Sequence, residues 1–275
     1  MLEVLGVGPL ATIQDQGRPG YAHLGVSRSG ALDPPALERA NRLVGNPASA
    51  AGLELSFGRF AARVHSDTVV AITGATAPVS VDGQDVSGVV AVRAGQTIEV
   101  GSPTAGVHCY LAVRGGIEVP PVLGSRSTDT LSGLGPAPLK VGTQLTFGQE
   151  QGIAAAEPAA LEYGDEIRLR VRFGPREDWF RSAEELTWNR YQMGMANRIG
   201  ARLNGPALAR SVAVELPSEG LMAGAVQVPG DGKPIIFLAD HPTTGGYPVI
   251  AVVHPADLPL IAQARPGASV VFRGP

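Results

Sequence analysis

Nine consecutive residues, Asp240-His241-Pro242-Thr243-Thr244-Gly245-Gly246-Tyr247-Pro248, gather a carboxylate, an imidazole, two hydroxyls and a phenol around a glycine pair. His241 is of a type that serves as general base or acid near neutral pH, and Asp240 beside it would set the orientation of the ring. Backbone N–H groups around Gly245 and Gly246, with the Thr244 hydroxyl, would stabilise an oxyanion on an amide-like substrate. Glycine allows that close approach because no Cβ stands between backbone and ligand. The plain alternative is a His241 that only hydrogen-bonds its own loop. Thr243 and Tyr247 complete the polar set, and Gln227, from Gly224-Ala225-Val226-Gln227-Val228-Pro229, joins it from another segment.

Two further polar clusters lie on expected turns. The first runs Gln14-Asp15-Gln16-Gly17-Arg18-Pro19-Gly20-Tyr21 and continues through Ser27-Arg28-Ser29-Gly30-Ala31-Leu32-Asp33 to Asn41. Here Asp15 and Arg18 either form a surface bridge or serve a ligand. The second is Gly174-Pro175-Arg176-Glu177-Asp178-Trp179-Phe180, with Asn197-Arg198-Ile199-Gly200-Ala201-Arg202-Leu203 after it. Its arginines suit a carboxylate or phosphate, although arginines on turns more often bridge acidic neighbours.

Several chemistries lack their residues. There is no GxxxxGK[ST], no GxGxxG at a strand-to-helix turn, no HExxH and no GxSxG, so an ATP cradle of the P-loop kind is not expected. The five histidines are scattered, with no pair at helical ligand spacing, and a protein-bound metal is not expected. The one cysteine, Cys109, sits in Val107-His108-Cys109-Tyr110-Leu111-Ala112-Val113 and reads as a buried strand thiol. A net charge of -3 without a Lys/Arg run gives no nucleic-acid or anionic-membrane footprint. The first residues, Met1-Leu2-Glu3-Val4-Leu5, begin a strand pattern, and no apolar run reaches the roughly 18 residues of a membrane helix. A cytoplasmic protein is therefore expected.

The scaffold that must position these clusters reads as all-β. The chain has 275 residues, 44% hydrophobic and 17% charged, with 36 glycines and 23 prolines spread along it, a pattern of many tight turns between short strands. Four segments repeat one cadence of glycine turn then strand: Gly95 to Val100, Gly142 to Phe147, Gly164 to Leu169 and Gly267 to Phe272. Val69 to Thr73, Val79 to Val81 before the Asp82-Gly83 turn, Val212 to Leu216 and Ile235 to Ala239 are further strand candidates. Helices are few: one from Pro34 through Val44, capped by Asp33 and stopped by Gly45; one before Trp188, with a Ser182–Glu185 capping box; and a turn or two over Asp257 to Gln263. Small, polar, alanine-rich Gln149 to Pro158 resembles a linker, which divides the chain into β-barrel domains at 1–155 and 156–275, with a single large sandwich as the alternative.

Taken in order, Ile13-Gln14-Asp15-Gln16-Gly17-Arg18-Pro19-Gly20-Tyr21, Ser29-Gly30-Ala31-Leu32-Asp33, Ala40-Asn41-Arg42-Leu43-Val44-Gly45-Asn46, Gly174 to Phe180, Asn197-Arg198-Ile199-Gly200 and Asp240 to Pro248 resemble a bacterial family. It is known as the C component of 5-oxoprolinase, as the second component of allophanate hydrolase, or as the biotin-dependent carboxyltransferase family. The resemblance covers nearly the whole chain. It implies two cyclophilin-like β-barrels and a place beside A and B components, the latter also cyclophilin-like in part, in an ATP-dependent complex that opens pyroglutamate to glutamate. Related domains move a carboxyl group from carboxybiotin to urea, and others regulate a histidine-kinase inhibitor.

On that resemblance, each enzymatic version handles a planar amide. Gln227, with a donor and an acceptor on one side chain, is the expected recognition element together with Thr243, Thr244, Gly245 and Gly246. Arg198, with neighbouring Asn197, or Arg18, with neighbouring Asp15, would take a substrate carboxylate. No lysine lies between methionines, so biotin, in the carboxylase alternative, arrives on another chain; ATP belongs to the complex, and no cofactor is expected on this one.

Overall fold

The computed structural model describes residues 1–150, 152 and 163–274. It divides into two compact units, one of Met1–Arg18, Asp33–Asp129 and Gly133–Tyr163, the other of Pro19–Leu32, Thr130–Ser132 and Gly164–Pro275. The expected linker falls mostly outside the described residues, as does the boundary near residue 155. The partition also moves two short stretches, 19–32 and 130–132, into the second unit, which a single cut in the sequence cannot express.

The fold is predominantly β, as expected. In the first unit, a seven-stranded sheet runs in the order Ile117–Glu118, Gln144–Phe147, Leu2–Gly6, Phe60–Val64, Thr97–Val100, Val79–Val81, Gln84–Asp85. A five-stranded sheet runs Leu10–Gln14, Gly52–Ser56, Ala105–Val113, Thr68–Thr76, Val89–Val92. Their inward residues, among them Leu2, Val4, Leu53, Phe60, Ile98 and Leu111, form one buried cluster. Period-2 alternation puts every second side chain of a strand on that face, so the apolar pattern sets the register.

Local sequence explains several joints. Asp82 and Gly83 have φ of 49° and 77°, the positive values that a two-residue hairpin loop demands, and they join Val81 to its partner Gln84. Asp33 caps the helix Pro34–Leu43 by accepting from the Ala36 N–H at 3.1 Å, and Gly45, at φ 80°, follows its last turn. Ala36, Leu37, Ala40 and Asn41 form the buried face of this helix. The Thr73 hydroxyl donates to the Ala36 carbonyl at 2.6 Å and ties helix to sheet. Cys109 is fully buried in its strand, where desolvation pushes the thiol up to about 12, so it is no nucleophile at neutral pH.

The second unit is a closed barrel ordered Glu166–Phe173, Val249–Val253, Ala225–Gln227, Ile235–Phe237, Gly200–Asn204, Arg190–Ala196, Ser269–Arg273. It closes where Glu166–Phe173 and Ser269–Arg273 pair in parallel, with Ile167 opposite Val270. Leu169, Tyr191, Leu203, Ile236, Ile250 and Phe272 fill the interior. All four glycine-led segments form strands. Two local expectations fail. Val212 to Leu216 is irregular, with Val214 64% exposed: alternation without a neighbouring strand edge to pair with does not make a strand. The helix Glu185–Trp188 starts without a side-chain cap: the Ser182 hydroxyl donates to the Glu184 carboxylate, and its oxygen accepts from no backbone N–H of the helix.

The turn Pro255–Asp257 and the helix Leu258–Ala262, with Pro259 in its first turn, pack against the strand Glu166–Phe173 and are tied to it by Asp257. This buried carboxylate accepts from the Arg170 backbone N–H at 2.7 Å and from the Arg170 guanidinium at 2.6 Å. The Arg170 hydrogen bonds hold its pKa below the ordinary aspartate value. A carboxyl lowered in the folded state contributes stability above its unfolded pKa and loses it as pH falls through the folded one. Asp257→Asn is therefore expected to cost about 1–3 kcal/mol at pH 7. The gap from wild type should close on acidification below about pH 4. Urea unfolding at pH 7 and pH 3 checks this; a gap equal at both would refute the ionic contribution.

Candidate functional site

The polar loop follows the strand Ile235–Phe237, and its first residue is bolted down rather than presented to a ligand. Asp240 is fully buried, and both its oxygens are saturated. Oδ2 accepts from Arg198 Nε at 2.8 Å, the Thr130 N–H at 2.9 Å and the Thr130 hydroxyl at 2.7 Å. Oδ1 accepts from Arg198 Nη2 at 3.0 Å and the Ser29 hydroxyl at 2.7 Å. Arg198 is 1% exposed and also donates to the Gly30 carbonyl at 2.6 Å.

These bonds explain why stretches 19–32 and 130–132 belong to the second unit: a buried carboxylate recruits its donors from three segments. They also correct two expectations. Asp240 orients Arg198, not His241, and Arg198 is committed to Asp240 and not held open for a substrate carboxylate. Asn197 is taken up likewise, its Oδ1 accepting from the N–H groups of Ile199 and Gly200 at 2.9 and 3.0 Å as a turn cap.

His241 is 7% exposed, with Nδ1 2.7 Å from the Pro242 carbonyl oxygen. A carbonyl only accepts, so the neutral ring carries its proton on Nδ1. Nε2 then holds the lone pair, and no described residue bonds to it. His241 thus bonds its own loop through one nitrogen, and the other has no partner among the described residues.

The far end of the loop closes onto Gln227. This side chain is 3% exposed, and its Nε2 donates to the Tyr247 carbonyl at 2.8 Å. Gly245 lies against the carboxamide, where an added Cβ would come within 2.7 Å of both Gln227 Nε2 and Leu221 Cδ1 and push those side-chain ends aside. Thr244–Gly245 pairs with Glu219–Gly220 as a two-stranded ladder, and Thr243 accepts from the Leu221 N–H at 2.9 Å. The backbone of Gly245 is therefore engaged in the ladder, and Gly246 is the glycine of the pair that lies beyond the strand. Thr244, Gly246 and Tyr247 are exposed. Arg176, from the Gly174-Pro175-Arg176 turn, braces the ladder through an ion pair with Glu219, which holds that carboxyl below its ordinary range. Here the arginine bridges an acidic neighbour, as does Arg202 with Asp231 at 2.6 Å.

The first unit has its own buried polar cluster, and it too departs from a surface bridge. Asp15 accepts from the Ser125 and Ser127 hydroxyls at 2.6 Å each, the Gly17 N–H at 2.8 Å and the Arg126 N–H at 2.6 Å. Arg18, 1% exposed, donates to the carbonyls of Val122 and Ser127 and forms no ion pair with Asp15. Both residues pin the segment 122–128. Gln14 joins them, donating to Thr12 Oγ1 and the Thr128 carbonyl at 3.0 Å each.

Sequence reasoning missed Arg210, whose guanidinium lies 5.9 Å from the centre of the Tyr247 ring, and Thr130, the double donor to Asp240. Neither sits in a dense motif, so composition carries no signal for them. Among the described residues no group of three His, Cys, Asp or Glu could hold a metal ion, and no helix is long and apolar enough to cross a membrane.

The family model for the carboxyltransferase domain, subdomains A and B, matches residues 24–274. The chain is 39% identical to the C component of the 5-oxoprolinase of Escherichia coli, across 99% of this chain and 90% of that protein. It is 35% identical to the urea amidolyase of Saccharomyces cerevisiae, across 98% of this chain but 16% of that protein. Among solved structures, that of TTHA0988 superposes with TM-score 0.91 at 35% identity, and this chain spans 55% of its length. The urea amidolyase of K. lactis superposes with TM-score 0.90 at 29% identity, over 98% of this chain and 18% of that one. With a family model covering most of its length, the chain belongs to the carboxyltransferase-domain family, subdomains A and B.

Proposed function

We propose that the chain is the C component of a cytoplasmic, ATP-dependent 5-oxoprolinase, opening the lactam of 5-oxo-L-proline to L-glutamate together with the A and B components. The observation that carries this reading is the near end-to-end similarity to a 5-oxoprolinase C component, with 99% of this chain and 90% of that one aligned. The geometry of Gln227 supports it. A lactam is a cis amide, so its N–H and C=O lie on one edge. The Gln227 carboxamide uses one N–H on Tyr247 and keeps its other N–H and Oε1, a donor and an acceptor side by side. That pair matches the lactam edge with two parallel hydrogen bonds.

In the proposed reaction, water adds across the C–N bond. His241 Nε2 takes a proton from the attacking water, the hydroxyl joins the carbonyl carbon, and the nitrogen leaves with a proton as the amine of glutamate. Gly246 N–H and the Thr244 hydroxyl face the charge that grows on oxygen. ATP acts at the level of the complex, and this chain binds neither ATP nor any other cofactor.

A second reading has its own support in the family description and the urea amidolyase relatives: carboxyl transfer to urea from biotin carried on another chain. The same donor–acceptor pair suits urea. Reconstitution with the products of neighbouring genes, assayed against 5-oxoproline, urea and allophanate, decides between them. Release of glutamate from 5-oxoproline only when this chain is present is the expected result; carboxylation of urea without lactam opening would replace the first reading with the second.

A further inference from the structure

The geometry points to Arg210 as the cation that reads the carboxylate of the substrate beside Gln227, a role that rests on the lactam-opening reading. Three arginines come into question. Arg198 is consumed by Asp240 and Gly30, and Arg18 is packed among carbonyls, with the ideal Cβ position of Gly135 only 3.1 Å from its Nη2. Arg198 has no donor edge left for a ligand, and Arg18, although its Nη1 is unpartnered, is 1% exposed.

Arg210 differs from Arg198 in lacking an acidic partner among the described residues, and from Arg18, whose Nη1 is likewise buried without a partner, in being only partly buried. It forms no ion pair among the described residues, its Nε is buried without a partner, and its one hydrogen bond is from Nη2 to the Val228 carbonyl. Its guanidinium stacks over the half-exposed Tyr247 ring at 5.9 Å. Val228 is the residue after Gln227, and Tyr247 supplies the carbonyl that Gln227 holds, so cation and carboxamide share the same two stretches of backbone. No described residue bonds to Nη1, and the edge formed by Nη1 and the second Nη2 hydrogen can hold a carboxylate in two parallel bonds.

A cation with no anion is costly in the protein alone, and an anionic ligand on the Nη edge offsets the uncompensated charge. The aromatic face holds the guanidinium in place and thins its hydration. In 5-oxoproline the carboxylate sits on the carbon next to the lactam nitrogen, so its partner must stand beside the group that binds the lactam edge. Arg210 stands there.

The test uses the reconstituted complex with two ligands of one shape, 5-oxo-L-proline as substrate and the neutral 5-oxo-L-prolinamide as competitive inhibitor. Arg210→Met keeps a stem of similar length over Tyr247 and removes the charge. It is expected to raise KM for 5-oxoproline at least about tenfold while inhibition by the amide is unchanged. Arg210→Lys should fall between, since an ammonium keeps charge without the fork. If the methionine variant fails to assemble, the lysine variant alone decides, through the ratio of acid to amide affinity. Equal weakening of both ligands, or of neither, overturns the assignment. A wild-type complex inert toward 5-oxoproline refutes the functional reading itself and removes the carboxylate assignment with it.

Discussion

His241→Ala is expected to lower the 5-oxoproline turnover of the reconstituted complex at least about tenfold, with the chain still folded. The expectation comes from the ring's two nitrogens. Nδ1 is fixed as a donor by the Pro242 carbonyl, which leaves Nε2 as the base. Asparagine separates that role from a structural one, because its side-chain N–H reaches the same carbonyl while offering no basic nitrogen. His241→Asn should be as slow as His241→Ala. A fast asparagine variant beside a slow alanine variant would show that only the loop bond matters, and full activity in both would remove His241 from the chemistry.

Asp240→Ala is expected to destabilise the second unit by about 3–5 kcal/mol, because it strands a buried guanidinium. Arg198 is 1% exposed and its Nε and Nη2 both point at Asp240, so it can neither reach water nor find another anion. Three further donors, from Ser29 and Thr130, lose their acceptor in the same step. Denaturant unfolding measures the loss. Replacing both charges, Asp240→Leu with Arg198→Met, should recover much of it, since a buried pair exchanged for apolar side chains is often close to neutral. A loss under about 1 kcal/mol in the single variant would mean that the pair does not hold the loop.

The sheet elements were readable from residues because their causes are local. Turn glycines before alternating segments gave the strands Thr97–Val100, Gln144–Phe147, Glu166–Phe173 and Ser269–Arg273, and Asp82-Gly83 could adopt the positive φ its hairpin needs. Asp33 stood one residue before Pro34, where a cap belongs. The failures are non-local. Asp240 had an imidazole next to it in sequence, and nothing there revealed a guanidinium 42 residues earlier or hydroxyls 211 and 110 residues away. Stretches 19–32 and 130–132 changed unit for the same reason.

Within the site, the density of polar residues marked the loop and Gln227 correctly as neighbours, since Gln227 bonds to Tyr247. Density did not separate structural members from free ones. Asp240, Arg198 and Asn197 are spent on the scaffold, whereas His241 and Gln227 keep unsatisfied atoms. Arg210 escaped notice because it is set apart by lacking an acidic partner among the described residues, and sequence does not display missing contacts.

The proposed function stands or falls on the Gln227 carboxamide gripping a planar amide edge. Gln227→Met keeps the length of the side chain and deletes both the donor and the acceptor. Steady-state turnover of 5-oxoproline by the reconstituted complex, compared for wild type and this variant, examines that grip, and turnover of Tyr247→Ala alongside it reports any disturbance of the loop through the lost bond to Tyr247. Two lost hydrogen bonds predict a fall in kcat/KM of about 10- to 100-fold, with the complex still assembled. Turnover equal to wild type would refute the grip and leave the amide without its partner.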